Sequence, residues 1–79
     1  MTQEMQFKTI IAQYCETAPE DINNDMRFRE DLGFSSLDFM SFLGELEDTF
    51  DIELEGEEAL QVRTIAEALD LLEKLQQEA

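Results

Sequence analysis

The chain has no histidine, one cysteine, one proline and only five basic side chains. Each scarcity excludes something. Cys15 has no second cysteine with which to close an internal disulfide. A chain with one cysteine and no histidine also lacks the usual ligands of a zinc site. Without histidine, the common base for activating a nucleophile is missing beside Ser35, Ser36 and Cys15, so catalysis by these groups is poorly supported. Five cations against twenty carboxylates leave a formal net charge of −15. Ordinary nucleic-acid binding needs a basic surface and is excluded by that balance; docking on anionic membranes is opposed by it. Long apolar runs are also absent. No segment approaches the roughly 20 residues that span a bilayer. The first twenty residues have neither the basic start nor the continuous apolar stretch of a secretory signal. The expectation is a cytoplasmic protein with no membrane insertion, freestanding at both ends.

What is present argues for a folded domain. Hydrophobic residues make up 43% of the chain, too many for a disordered acidic tail. Its 79 residues allow one domain, expected to span 1–79 and to act as a monomer. A domain this small buries a modest share of its surface, so packing alone must hold it. Its surface charge predicts partners with basic patches, because opposite potentials steer association.

Helical spacing dominates the apolar pattern. Phe7, Ile10, Ile11 and Tyr14 fall at i, i+3, i+4 and i+7, which predicts a helix over about Gln3 to Cys15, stopped before Pro19. A long loop follows, from Thr17 to Ser35. Asp21, Asn23, Asn24 and Asp25 are its turn formers. Its apolar points, Ile22, Met26, Phe28, Leu32 and Phe34, are expected to pack down over the helices, with a short helical turn over Phe28 to Leu32 ending at Gly33. A second helix is predicted from Ser35-Ser36 to Phe50, opened by a Ser35/Asp38 capping box. Phe39, Phe42, Leu43, Leu46 and Phe50 form its inner stripe, and Leu37 and Met40 lie on a neighbouring one. Gly44 in mid-helix costs up to about 1 kcal/mol relative to alanine, and close approach of a partner is one reason to keep it. Ile52 and Leu54 point inward from a connection. A short helix over Glu57 to Gln61 and a last helix opened by Thr64 and Glu67 complete the chain. The last helix buries Ile65, Ala68, Leu69, Leu72 and Leu75. The fold class is all-α: a small four-helix bundle with three main helices, a short third one, and a long loop between the first two.

Acidic loops suggest calcium, but the pattern fails. Asp21-x-Asn23-x-Asp25 opens like an EF-hand loop, yet Met26 and Leu32 stand where glycine and the closing glutamate belong. In Asp51-x-Glu53-x-Glu55-Gly56 the glycine is present, but the twelfth place is Val62. Cys15 reads as a small buried hydrophobe. Ser35 and Ser36 together read on local pattern as an ordinary helix start. A helix start also presents free N–H groups and a positive dipole end that favour a phosphate. A hydroxyl there could carry a phosphodiester, held at the surface by Leu32-Gly33-Phe34.

The run Glu30-Asp31-Leu32-Gly33-Phe34-Ser35-Ser36-Leu37-Asp38 resembles the signature of acyl carrier proteins, Asp-Leu-Gly-x-Asp-Ser-Leu-Asp. The likeness continues through Pro19 to Ile22, Leu46 to Leu54, Glu57-Glu58-Ala59 and Thr64-Ile65, nearly the whole chain. It implies a carrier rather than an enzyme. Ser36 would bear 4′-phosphopantetheine, transferred from coenzyme A by a phosphopantetheinyl transferase. The arm would present acyl thioesters to ketosynthase- and acyltransferase-type enzymes in fatty-acid or polyketide-type biosynthesis. By the same resemblance Leu37, Asp38, Met40, Glu47 and Asp48 would lie on the docking face. Phe39, Phe42 and Leu46 would line the acyl cleft, the two bulky rings shortening or narrowing it. No metal ligand set is implied.

Three positions depart from the family pattern. Ser35 replaces the aspartate that helps place the metal and the transferase. Ser41 stands where housekeeping carriers commonly have glutamate, and Gly44 where they have a larger apolar residue. These departures favour a specialised carrier with a dedicated synthase. A peptidyl or aminoacyl carrier, and an arm-less interaction protein, are the competing readings.

Overall fold

The computed structural model describes residues 2–78. Helix α1 spans Gln3–Ala12, α2 Ser36–Phe50, α3 Gly56–Leu60 and α4 Ile65–Glu78. A single 3₁₀ turn, Pro19–Asp21, lies between α1 and α2. Among the described residues there is no strand, only an isolated antiparallel bridge between Arg27 and Thr64. The all-α bundle that the apolar spacing predicts is therefore the fold.

Each helix starts for a local reason. Thr2 Oγ1 accepts from the Met5 N–H to cap α1. Ser35 Oγ accepts from the Asp38 N–H at 3.1 Å, and the Asp38 carboxylate accepts from the Ser35 N–H at 3.1 Å. This is the reciprocal capping box expected for α2. The same exchange opens α4 between Thr64 and Glu67. The backbone N–H groups of Thr64 and Arg63 hold the Glu67 carboxyl below its usual pKa.

Three local expectations need correction. Helix α1 ends at Ala12, short of Cys15. The N–H groups of Gln13 and Tyr14 reach back only three residues, to Ile10 and Ile11, a 3₁₀-type tightening common at helix ends. Tyr14 still turns inward, so the apolar face outlasts the helix. Pro19 does not stop α1. It opens the 3₁₀ turn, where its missing N–H has no bond to forgo. In the second correction, Phe28 to Leu32 forms stacked turns rather than a helix. The N–H groups of Asp31 and Leu32 both reach the Arg27 carbonyl, and that of Gly33 reaches Arg29. Gly33 then takes φ 74°, a left-handed conformation that glycine adopts without Cβ strain. Helix α3 also runs one residue earlier than predicted.

The long loop is ordered by nonlocal bonds. The Phe28 N–H donates to the Arg63 carbonyl, Ile65 N–H to Met26, and Ala66 N–H to Asn24. The first-turn donors of α4, which have no carbonyl within their own helix, are thus met by the loop. Its side chains do the rest: Ile22, Phe28, Leu32 and Phe34 are buried in the same cluster as Phe7, Ile10 and Ile11 of α1, Phe42 and Leu46 of α2, and Ile65, Leu69 and Leu72 of α4. No buried side-chain polar group is left among them.

Phe42 is the hub of this cluster. Its ring is fully buried. Phe7, Phe28 and Phe34 stand with ring centroids 5.6, 5.4 and 5.9 Å away, and Tyr14 and Phe39 at 6.3 Å. Edge-on and tilted pairs at such distances add roughly 0.5–1.5 kcal/mol each beyond simple burial. Tyr14 also donates its hydroxyl to Glu45 Oε1 at 2.9 Å, tying the end of α1 to α2. Burial, then the Glu45 carboxylate, raises its phenol pKa.

Phe42→Ala is expected to lose about 3–5 kcal/mol, most of the stability of so small a domain. Urea unfolding monitored by circular dichroism checks this; a midpoint within error of the native chain would remove Phe42 from its central role.

Candidate functional site

The Ser36 side chain is exposed at the first position of α2. Its backbone is held from both sides. Before it, the Asp31 carboxylate accepts from the Arg27 N–H at 2.7 Å and from Arg27 Nε at 3.2 Å, curling the loop. Phe34, 4% exposed, anchors the chain between Tyr14, Phe28 and Phe42. After it, the Ser35/Asp38 capping box sets the entry angle of the helix. A rigid frame therefore lifts one hydroxyl to solvent.

Ser36 Oγ accepts a hydrogen bond from Arg29 Nη2 at 2.8 Å. The first N–H groups of α2 have no helical acceptor, and the helix dipole adds positive potential. This donor set, a cation beside a surface hydroxyl at a helix start, fits a phosphodiester built on Ser36. Beside it lies a pocket of about 300 Å³, with Phe28, Phe39, Leu60 and Val62 as its apolar lining and Arg29, Glu30 and Arg63 as its charged one.

The residues singled out by sequence fare differently. Leu37 and Met40 are 81% and 63% exposed, bare apolar groups next to Ser36, and Asp48 is exposed too. Asp38 is half-buried and engaged in the capping box. Glu47 is half-buried and accepts from the Leu54 N–H at 3.1 Å. Neither acid is a free surface charge. Of the three cleft residues, Phe39 lines the pocket. Phe42 and Leu46 are closed within the core. An alanine-sized Cβ on Gly44 would meet nothing within 4 Å, so no packing inside the chain demands glycine there. Sequence reasoning missed Arg29 and Leu60. Leu60 is 75% exposed at the end of α3. Its only signal was an apolar residue too isolated to belong to a stripe. Arg29 sits in a loop, where no periodicity marks which way it points.

Fold and site together define a small helical bundle with an exposed serine hydroxyl, Ser36, at the start of its second helix. Residues 6–72 match the family described as the phosphopantetheine attachment site. The acyl carrier protein of Buchnera aphidicola subsp. Acyrthosiphon pisum is 38% identical over 71 residues, 90% of this chain and 89% of that one. The acyl carrier protein of a Sulfurovum species is 31% identical over 68 residues, 86% and 91% of the two chains. Among solved structures, the hexanoyl form of the carrier from the actinorhodin polyketide synthase of Streptomyces coelicolor superposes with a TM-score of 0.82 at 26% identity, covering 100% of this chain and 94% of that one. The acyl carrier protein of Enterococcus faecalis gives 0.80 at 27% identity, covering 95% and 99%.

The chain belongs to the acyl carrier protein family of phosphopantetheine-binding domains. The cofactor is 4′-phosphopantetheine, which would supply a long arm ending in a thiol. Among the described residues no helix is long and apolar enough to cross a membrane.

The loop before Ser36 should be acid-sensitive. The Arg27 N–H, then the Arg27 side chain, hold the Asp31 carboxyl below its usual value of 3.8. A carboxyl with a lowered folded pKa stabilises the fold above the unfolded value and loses that contribution as pH falls through the folded one. Asp31→Asn should therefore be less stable than the native chain near neutral pH, with the gap closing as pH drops below about 3.8. Paired thermal melts from pH 7 to pH 2 check this; a gap independent of pH would show that the charge on Asp31 contributes nothing.

Proposed function

We propose that Ser36 bears the 4′-phosphopantetheine and that the chain carries acyl intermediates as thioesters for a specialised synthase of fatty-acid or polyketide type. One observation carries this: of the two adjacent serines, Ser35 Oγ is used in the helix cap, whereas Ser36 Oγ faces solvent with a guanidinium 2.8 Å away. Ser36 is thus the hydroxyl that a transferase can reach without breaking the helix start.

The partners are a phosphopantetheinyl transferase and ketosynthase- and acyltransferase-type enzymes with basic patches. With a net charge of −15, the chain attracts such patches from a distance. At short range the docking surface is Leu37, Met40 and Asp48, joined by Leu60. Asp38 and Glu47 contribute field rather than free side chains, because both are held within the fold. The specialised role rests on Ser35, Ser41 and Gly44. All three are exposed, and none supplies the charge or bulk of the housekeeping surface. For the cargo, Phe39 is the cleft residue closest to hand, because it lines the pocket. Phe42 and Leu46 become cleft residues only if the core opens around an acyl chain.

The first test is intact mass after incubation with coenzyme A and a broad-specificity transferase. One phosphopantetheine is expected on the native chain and on Ser35→Ala, and none on Ser36→Ala. No addition to the folded native chain by several transferases would make it an arm-less interaction protein. Offered to a housekeeping ketosynthase, the loaded chain should bind weakly; tight, productive binding would overturn the specialised role. Solution NMR of a long-chain acyl form should leave the Phe42 and Leu46 signals nearly unmoved. Deep insertion of a straight chain between them would overturn the narrow cleft.

A further inference from the structure

Among the described residues, three of the five cations have carboxylate partners. Lys8 pairs with Glu4, Arg27 with Glu30 and Asp31, and Lys74 with Glu58. Arg29 and Arg63 pair with none, in a chain with twenty acids. Both border the same pocket. Arg29 reaches from it to a neutral oxygen, Ser36 Oγ, at 2.8 Å. A guanidinium makes its strongest hydrogen bonds to anionic oxygens, often two at once. Against a neutral hydroxyl in solvent it is underused.

The acids around Arg29 are engaged elsewhere. Glu30 and Asp31 face Arg27, and Asp38 is held by the Ser35 N–H. Position 35, immediately before Ser36, is a serine whose hydroxyl caps α2. A carboxylate there would stand one residue from the hydroxyl that Arg29 holds and would compete for its charge. Ser35 and Arg29 therefore form a matched pair: one withholds a negative charge, and the other keeps its positive charge free.

We propose that Arg29 is a counter-ion for the phosphodiester at Ser36, oriented on the hydroxyl before loading and on the phosphate after it. This rests on the reading of Ser36 as the attachment point. In the loading reaction Ser36 Oγ bonds to the pantetheine-side phosphorus of coenzyme A. The phosphorus–oxygen bond to adenosine 3′,5′-bisphosphate breaks, and the serine proton passes to a base of the transferase. Arg29 leaves that proton free, because it donates to Oγ and accepts nothing. Afterwards Oγ is an ester bridge, and one new negative charge sits on the non-bridging oxygens beyond it. In a chain at −15 that charge adds to an already negative field, and Arg29, 2.8 Å from the hydroxyl, and the helix start offset it. Arg29 is already within reach, and pairing with it would fix the root of the arm beside the pocket.

The test uses native chain, Arg29→Gln, Arg29→Lys and a charge-matched control, Lys74→Gln, each before and after loading confirmed by mass. On loading, the Arg29 Nε–H signal of the native chain should shift and exchange more slowly with water. The ³¹P signal of the phosphodiester should differ between native and Arg29→Gln, and not between native and Lys74→Gln. Loading should lower the thermal midpoint more in Arg29→Gln than in the native chain or Lys74→Gln, with Arg29→Lys between. This difference should close near 1 M salt, where the Debye length is about 3 Å. If Arg29 signals and the ³¹P signal ignore loading and substitution, the counter-ion role is overturned while Ser36 stands. If no mass is added, the attachment reading falls and this one with it. The native Arg29 signals decide the matter even if Arg29→Gln does not fold.

Discussion

The aromatic cluster centred on Phe42 is the interaction on which the rest of the structure depends. Disulfide and zinc staples are both denied to this chain by its composition, and its charge works against compaction. Packing has to supply the stability. The rings of Phe7 and Tyr14 reach Phe42 from the first helix and its trailing turn, and those of Phe28 and Phe34 from the long loop. One side chain thereby joins three stretches of chain far apart in sequence. The loop is ordered because it contributes rings to a core, and its carbonyls then meet the exposed donors of α4.

That packing is what makes the site rigid. Phe34 lies two residues before Ser36, and its burial fixes where the chain enters α2. The Ser35/Asp38 exchange fixes the direction of entry. Between an anchored ring and a capped helix, the hydroxyl has little backbone freedom and full access to solvent. On the proposed reading, a group that other enzymes would find, modify and revisit is best held in this way, the carrier supplying position and field.

Charge plays two roles at different ranges. At long range the surplus of carboxylates would attract proteins with basic patches. At short range, however, several of those carboxylates serve the fold: Asp31 curls the loop, Asp38 and Glu67 cap helices, and Glu47 receives the Leu54 N–H. The same residue type therefore cannot be assigned to docking by position along α2 alone. Near Ser36 the exposed contact residues are apolar, Leu37 and Met40, with Leu60 bared on α3. The field would bring a partner near, and these apolar groups would be what it finally touches.

Sequence alone determined what depends on neighbours within a turn or two of chain. Helical spacing located α1, α2 and α4 and their buried faces, because a 3.6-residue period is local. The capping pairs at Ser35/Asp38 and Thr64/Glu67 were legible for the same reason. The Asp31-Leu32-Gly33 frame around Ser36 was legible as a resemblance. Tertiary structure decided what depends on distant partners. It ended α1 early and turned Tyr14 inward, and it ordered the long loop through bonds from the start of α4 to Met26 and Asn24. Asp38 and Glu47 were given internal roles, Phe42 and Leu46 were closed into the core while Phe39 was left at a pocket, and Arg29 was brought to Ser36. No spacing rule points a loop side chain at a helix residue seven positions on. That contact exists because Gly33 reverses the chain and Phe34 pins it, and both act through packing that is settled only when the whole bundle has formed.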